Sequence, residues 1–142
     1  MAALKPQSNF NEARTILIIS QDSKMVTAWK ILFKQKSYKV IHETSPQHAL
    51  QAARLISPAL TILDLDLTQS ERFSLCKQLR PTTSGAIFLL APNAAEEDED
   101  AEYYFAGVDE RLSSTISPAA LLAKSMLWLR IGSHEKSAPV YA

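Results

Sequence analysis

Five strand-length segments, each followed by an amphipathic or polar stretch, constrain this chain of 142 residues more than any other feature. Three of them are nearly continuous apolar runs: Thr15 to Ile19 (TILII), Leu60 to Leu63 within ALTILDLDL, and Gly85 to Ala91 (GAIFLLA); Tyr38 to His42 is a short second strand. Such runs do not alternate, so they read as strands covered on both faces. The fifth, Val108 to Leu112, is short and unusually polar. Strands separated by helices require right-handed crossovers and a parallel sheet with helices on both sides. The expected fold is therefore α/β, a doubly wound five-stranded parallel sheet of the flavodoxin-like order 2-1-3-4-5. Its switch point lies between strands one and three, so Ser20 to Ser23 should face Asp64 to Asp66.

The helical segments carry their own punctuation. Ser23 is a candidate cap for a first helix that buries Met25, Val26, Trp29, Leu32 and Phe33 and leaves Lys24, Lys30, Lys34 and Lys36 in water. Ser45-Pro46 and Ser117-Pro118 are cap-plus-proline helix starts. Ala49, Leu50, Ala53 and Ile56 form the buried face of the second helix; Phe73, Cys76 and Leu79 form that of the third, which Pro81 stops. The acidic run Glu96 to Asp100 suits a first helical turn, where carboxylates meet the positive end of the dipole. Gly107 is the natural terminator of that helix. The last helix, Ala119 to Arg130, shows two apolar stripes, Leu122-Met126-Leu129 and Leu121-Ser125-Trp128. One is sufficient to dock on the sheet, and the second, with Leu121 and Trp128, is a candidate partner surface.

Composition narrows the function. The chain carries 15 basic and 15 acidic side chains, and this balance gives no electrostatic reason to bind nucleic acid or an anionic membrane. No apolar stretch reaches the roughly 20 residues of a membrane span, and the N-terminus has no signal-peptide core. A cytoplasmic location is expected, and the single Cys76 suits a reducing compartment. The expected organisation is an N-terminal arm (1–13), one domain (14–130) and a polar tail or linker (131–142). A flavin carrier would need a Gly/Ser/Thr-rich loop after the first strand, but Ser20-Gln21-Asp22-Ser23-Lys24 has no glycine and the chain has only 3. His42, His48 and His134 are scattered, read as surface residues, and with one cysteine form no zinc set. No G-x-S-x-G elbow exists for a serine hydrolase.

Asp64 ends the central strand, where open α/β sheets place their chemistry. A carboxylate there can attack a phosphoryl group, given magnesium to neutralise charge and a lysine and hydroxyl over the phosphoryl oxygens. The segment PALTILDLDLTQSERFSLCKQLR, Pro58 to Arg80, together with RTILIIS, AIFLLA, AGVDERL and ISPAALLAKSMLWLR, resembles the receiver domains of response regulators over about residues 14 to 130. The resemblance puts Asp64 at the phosphoacceptor position of a two-component phosphorelay.

The departures from that family carry as much weight. Ser20 and Gln21 stand where it has two metal-binding acids, with Asp22 one place late. Ala91 replaces its hydroxyl residue, Ser114-Thr115 its lysine-proline pair, and Arg111 its aromatic switch residue. The resemblance therefore implies an atypical receiver, or pseudo-receiver: a non-enzymatic protein-interaction module without conventional Asp phosphorylation. The alternative is a working phosphoacceptor with magnesium held by Asp64, Asp66 and Asp22, since extended backbone would point Asp64 and Asp66 the same way. The family also implies a homodimer through the fourth helix, fifth strand and fifth helix. The candidate contacts there are Leu121, Trp128 and a pairing of Asp109 or Glu110 with Lys124. Its winged-helix branch implies a DNA-binding domain after Ala142 and a role in transcription regulation.

Overall fold

Strands β1 (Thr15–Ser20) and β3 (Leu60–Asp64) lie side by side at the centre of the sheet, and from Ile16 to Ile19 and Leu60 to Leu63 every residue is fully buried. The computed structural model describes residues 14–92 and 97–137. Strands β2 (Lys39–Glu43), β4 (Ala86–Ala91) and β5 (Glu110–Ser113) complete a five-stranded, wholly parallel sheet in the order β2-β1-β3-β4-β5. This is the expected doubly wound topology.

Helices α1 (Ser23–Gln35) and α5 (Pro118–Ser137) cover one face. Val26, Trp29, Phe33, Leu121 and Leu129 pack there against Ile16, Ile18, Ile62 and Phe88. Helices α2 (Pro46–Ile56), α3 (Gln69–Leu79) and α4 (Glu97–Phe105) cover the other. Ala49, Ala53, Cys76, Leu79 and Tyr103 pack there on Leu17, Ile19, Leu63 and Leu89. Burial pushes the Cys76 thiol up to about 12, although the Arg72 charge acts against it, so the thiol is inert.

Local chemistry explains the helix ends. Ser45 caps α2 through His48 N–H at 3.2 Å, with Pro46 in the first turn. Thr68 and Glu71 form a reciprocal capping box on α3. After α3 a single 3-10 turn, Arg80–Thr82, contains Pro81. Gly107 follows α4 with φ +103°, a conformation that a side chain disfavours. A Cβ at Gly107 would also lie 2.5 Å from Arg80 Cδ. Arg80 donates to the carbonyls of Gly107, Thr83 and Gly85 at 2.9, 2.8 and 2.7 Å and to Asp109 Oδ2 at 3.0 Å, locking α3 to the β4 and β5 ends.

Several expectations are corrected. The cap of α1 is Asp22, which accepts from Met25 N–H at 3.1 Å, and Ser23 is already helical. Strand β5 begins at Glu110 because Asp109 turns inward, taking Ile87 N–H at 2.8 Å as well as Arg80. Helix α5 runs to Ser137 and not Arg130, so residues 131–137 of the expected tail are helical. Its docking stripe is Leu121-Ser125-Leu129, while Leu122 and Met126 are half-buried. Leu121 is thus core and no spare surface. The expected arm (1–13), Glu96 and residues 138–142 lie outside the described residues.

Candidate functional site

The parallel register sets Ser20 directly beside Asp64 at the carboxyl ends of β1 and β3. Ser20 is fully buried. Its hydroxyl donates to Asp64 Oδ2 at 3.0 Å and accepts from the Asp22 N–H at 3.0 Å. One side chain therefore joins the Asp64 carboxylate to the start of α1. The Ser20 carbonyl accepts from His42 Nε2 at 2.7 Å. A carbonyl has no proton to give, so that ring nitrogen carries one. His42 is half-buried and tied into the β1 terminus, which corrects its reading as a surface residue.

Burial raises the Asp64 carboxyl above its ordinary 3.8; the Ser20 hydrogen bond acts against this and the Asp22 charge adds to it. Desolvation wins because a partly buried carboxylate loses more water than one hydroxyl returns. The other face of Asp64 opens on a cleft of about 370 Å3. Gln21, Asp22, Asp66 and Ser114 line it with Asp64, and Met25 and Trp29 form its apolar wall. No lysine or arginine is among these lining residues. The Trp29 indole N–H is buried and makes no hydrogen bond among the described residues.

The sequence-derived site residues are brought together only in part. Asp22, Asp64 and Asp66 share the cleft, yet among the described residues no three His, Cys, Asp or Glu side chains converge as a metal-holding group. Asp22 is committed to capping α1. Strand β3 ends at Asp64, and Leu67 N–H bonds back to Leu65 O at 3.0 Å, so the chain turns at Asp66 and does not stay extended. Ala91 is buried at the end of β4, offering no hydroxyl. Sequence reasoning assigned Met25 and Trp29 to the core alone and missed Ser20 and His42 as holders of the strand end; polar residues at a switch point were the one signal for them.

The contacts proposed for the β5 edge are made within the chain. Lys124 Nζ lies 3.5 Å from Glu110 Oε2, and the Trp128 indole N–H donates to the same oxygen at 3.0 Å. Trp128 also meets Phe88 edge to face at 6.4 Å. Asp109 is paired with Arg80 within the chain, and Leu121 is buried in the core. What this side does expose is Tyr104 and Phe105 on α4 and Leu127 on α5.

This sheet order and this placement of Asp64 define a receiver-like domain: the fold is that of the CheY-like receivers of two-component response regulators. A response-regulator receiver domain from Methanospirillum hungatei superposes with a TM-score of 0.74 at 21% identity, over 87% of this chain and 98% of that one. The receiver domain of a sensor histidine kinase from Pseudomonas aeruginosa, which has magnesium coordinated in its active-site cleft, gives 0.67 at 18% identity, over 83% and 98%. In sequence, the alkaline phosphatase synthesis transcriptional regulatory protein PhoP of Bacillus subtilis is 26% identical over 117 residues, 82% of this chain and 49% of that protein. The chain spans about half the length of that curated relative. No protein-family model matches it. Among the described residues, no helix is long and apolar enough to cross a membrane.

Proposed function

We propose that this chain is an atypical receiver, a cytoplasmic module of two-component signalling that acts through protein contacts and not through phosphorylation of Asp64. The Ser20 hydroxyl bonded to Asp64 Oδ2 carries this reading. It ties up one oxygen of the acceptor from the position where a working receiver offers the cation a carboxylate. The donor set does not fit a resident magnesium ion, which needs a near-octahedral oxygen shell. Asp64 offers its remaining oxygen, Asp22 is engaged at the helix end, and the chain turns at Asp66. With no lysine among the described residues that line the cleft, a phosphoryl group would also lack a charge-assisted contact of about 1.5–3 kcal/mol. On this reading the domain has no reaction of its own, and its output is association. The exposed Tyr104, Phe105 and Leu127 near the β5 edge support self-association there. Regulation of transcription through a further domain, as the name of the Bacillus relative suggests, is part of the same proposal.

The shared cleft position of Asp22, Asp64 and Asp66 favours the second reading, a phosphoacceptor. One experiment separates the two. The protein is incubated with magnesium and acetyl phosphate, or with beryllofluoride, and followed by intact mass and by amide spectra. Unchanged mass and spectra are expected; a phosphoryl adduct mapped to Asp64 and absent in Asp64→Asn makes the second reading the correct one.

A further inference from the structure

The sheet ends on one side at β2, whose outer edge pairs with no other strand of the molecule. Lys39 N–H donates to Arg14 O at 2.9 Å where β2 begins its pairing with β1. Alternation along the strand then turns the backbone groups of Lys39, Ile41 and Glu43 towards β1 and those of Val40 and His42 outward. Among the described residues no turn, cap or side chain takes these outward groups. Lys39 is exposed and the other four residues are half-buried, so the edge is open to solvent. Such an edge is a template for another strand, although a lysine on it ordinarily opposes pairing. Here the opposition is cancelled within the strand itself. The sequence Lys39-Val40-Ile41-His42-Glu43 complements its own reverse about Ile41, with a basic residue at one end and an acidic one at the other. Lys39 and Glu43 share a face of the sheet with Ile41, and neither makes an ion pair among the described residues.

From this register and charge pattern we infer that β2 pairs antiparallel with β2 of a second copy of this chain, about a two-fold axis through Ile41, joining the two sheets into one. Val40 and His42 then exchange backbone hydrogen bonds with His42 and Val40 of the second copy, which satisfies every outward group of the strand. Ile41 meets its own copy on the axis. Lys39 faces Glu43 of the second copy on either side of it, at non-hydrogen-bonded positions where opposed Cα atoms lie about 4.5 Å apart and unlike charges attract. The contact is isologous, so assembly closes at two. The inference rests on the reading of the domain as a contact module and adds an interface at the sheet edge opposite β5.

The test combines sedimentation of the whole chain over a range of concentrations with amide hydrogen exchange. The wild type should form a dimer, and exchange at Val40 and His42 should slow as it forms, whereas Ile41, already bonded to β1, should show no such change. Lys39→Glu and Glu43→Lys should each be monomeric, since each sets like charges opposite one another at both ends of the contact. The double variant should dimerise again, and an equimolar mixture of the two single variants should give a 1:1 heterodimer, because both unlike pairs are restored. Neither side chain has an ion-pair partner to lose within the molecule, so thermal melts matching the wild type serve as the folding control. If the wild type dimerises but the single variants do so equally well, or if Val40 and His42 exchange as fast in the dimer as in the monomer, the inference fails while the contact-module reading stands; loss of that dimer in Phe105→Ser then puts the contact on the β5 side. A wild type monomeric at all concentrations overturns both the inference and the self-association part of that reading.

Discussion

Replacing Ser20 with alanine removes the one hydroxyl that connects Asp64 to the first turn of α1. Two hydrogen bonds disappear at a fully buried position, the neutral one from Asp22 N–H and the charge-assisted one to Asp64 Oδ2. The first is worth about 0.5–1.5 kcal/mol and the second about 1.5–3 kcal/mol, with the second at its lower end because Asp64 remains open to water on the cleft side. A loss of about 2–3 kcal/mol is expected at neutral pH. The two parts separate with pH. The Asp64 carboxyl sits above 3.8 in the folded protein because of burial, so this group favours the fold most when protonated; that contribution is complete below 3.8 and is lost as pH rises through the folded value. The Ser20 bond opposes that rise, so the alanine variant has a still higher Asp64 value. The penalty is then full above the variant's value and shrinks as pH falls through both, leaving about 1 kcal/mol for the lost Asp22 contact. Urea denaturation at pH 7 and just below 3.8 measures it. Equal losses at the two pH values, or the same loss in an Asp64→Asn background, would show that Ser20 does not hold the carboxylate.

Other substitutions probe the scaffold around the site. Thr61 is fully buried between Leu17 and Ile87, and its hydroxyl has no partner among the described residues; Thr61→Val should therefore stabilise by about 1 kcal/mol, seen as a higher urea midpoint at unchanged slope. A lower midpoint would mean that the hydroxyl is satisfied by an internal water. Arg80→Met leaves Asp109 and three carbonyls without their shared donor and should cost about 2 kcal/mol, discounted because both charged side chains are about 30% exposed, 30% and 29%. Gly107→Ala places a Cβ against that same arginine at φ +103° and should cost more than about 1 kcal/mol by thermal or urea melts. Combined with Arg80→Met it should cost less than the sum, because the clash has been removed.

The strands were legible where burial on both faces leaves no alternation to misread: Thr15 to Ile19 and Leu60 to Leu63 lie within the observed elements, and Gly85 to Ala91 starts one residue before β4. The position of Asp64 followed from the same logic, since a strand order of 2-1-3-4-5 dictates which strand ends face each other. What sequence could not show was which of two adjacent residues acts. Asp22 and Ser23 are both good caps, and only the backbone path decides that the Asp22 oxygen reaches Met25 N–H. Asp109 read as strand because its partner, Arg80, is 29 residues away and no local pattern announces it. Asp66 could join Asp64 only if the backbone stayed extended; the chain turns there and leaves Asp66 exposed, as for a solvated loop aspartate.

Helix α5 is the instructive case, because its misread phase changes where a partner can bind. Two apolar stripes one residue apart are equivalent in helical periodicity, so the sequence alone cannot choose between Leu121 and Leu122 as the residue that docks. The choice is made across the sheet. Trp128 is drawn over Phe88 and tied by its indole N–H to Glu110, which turns Leu121, Ser125 and Leu129 inward. Once Glu110 holds Trp128 it also takes Lys124, so the charged pair expected between molecules closes within one. Contacts between molecules must then come from groups that the fold leaves unmatched. Among the described residues these include Lys24 and Lys34 on α1, Arg54 on α2, Lys77 on α3 and Glu102 on α4, all exposed.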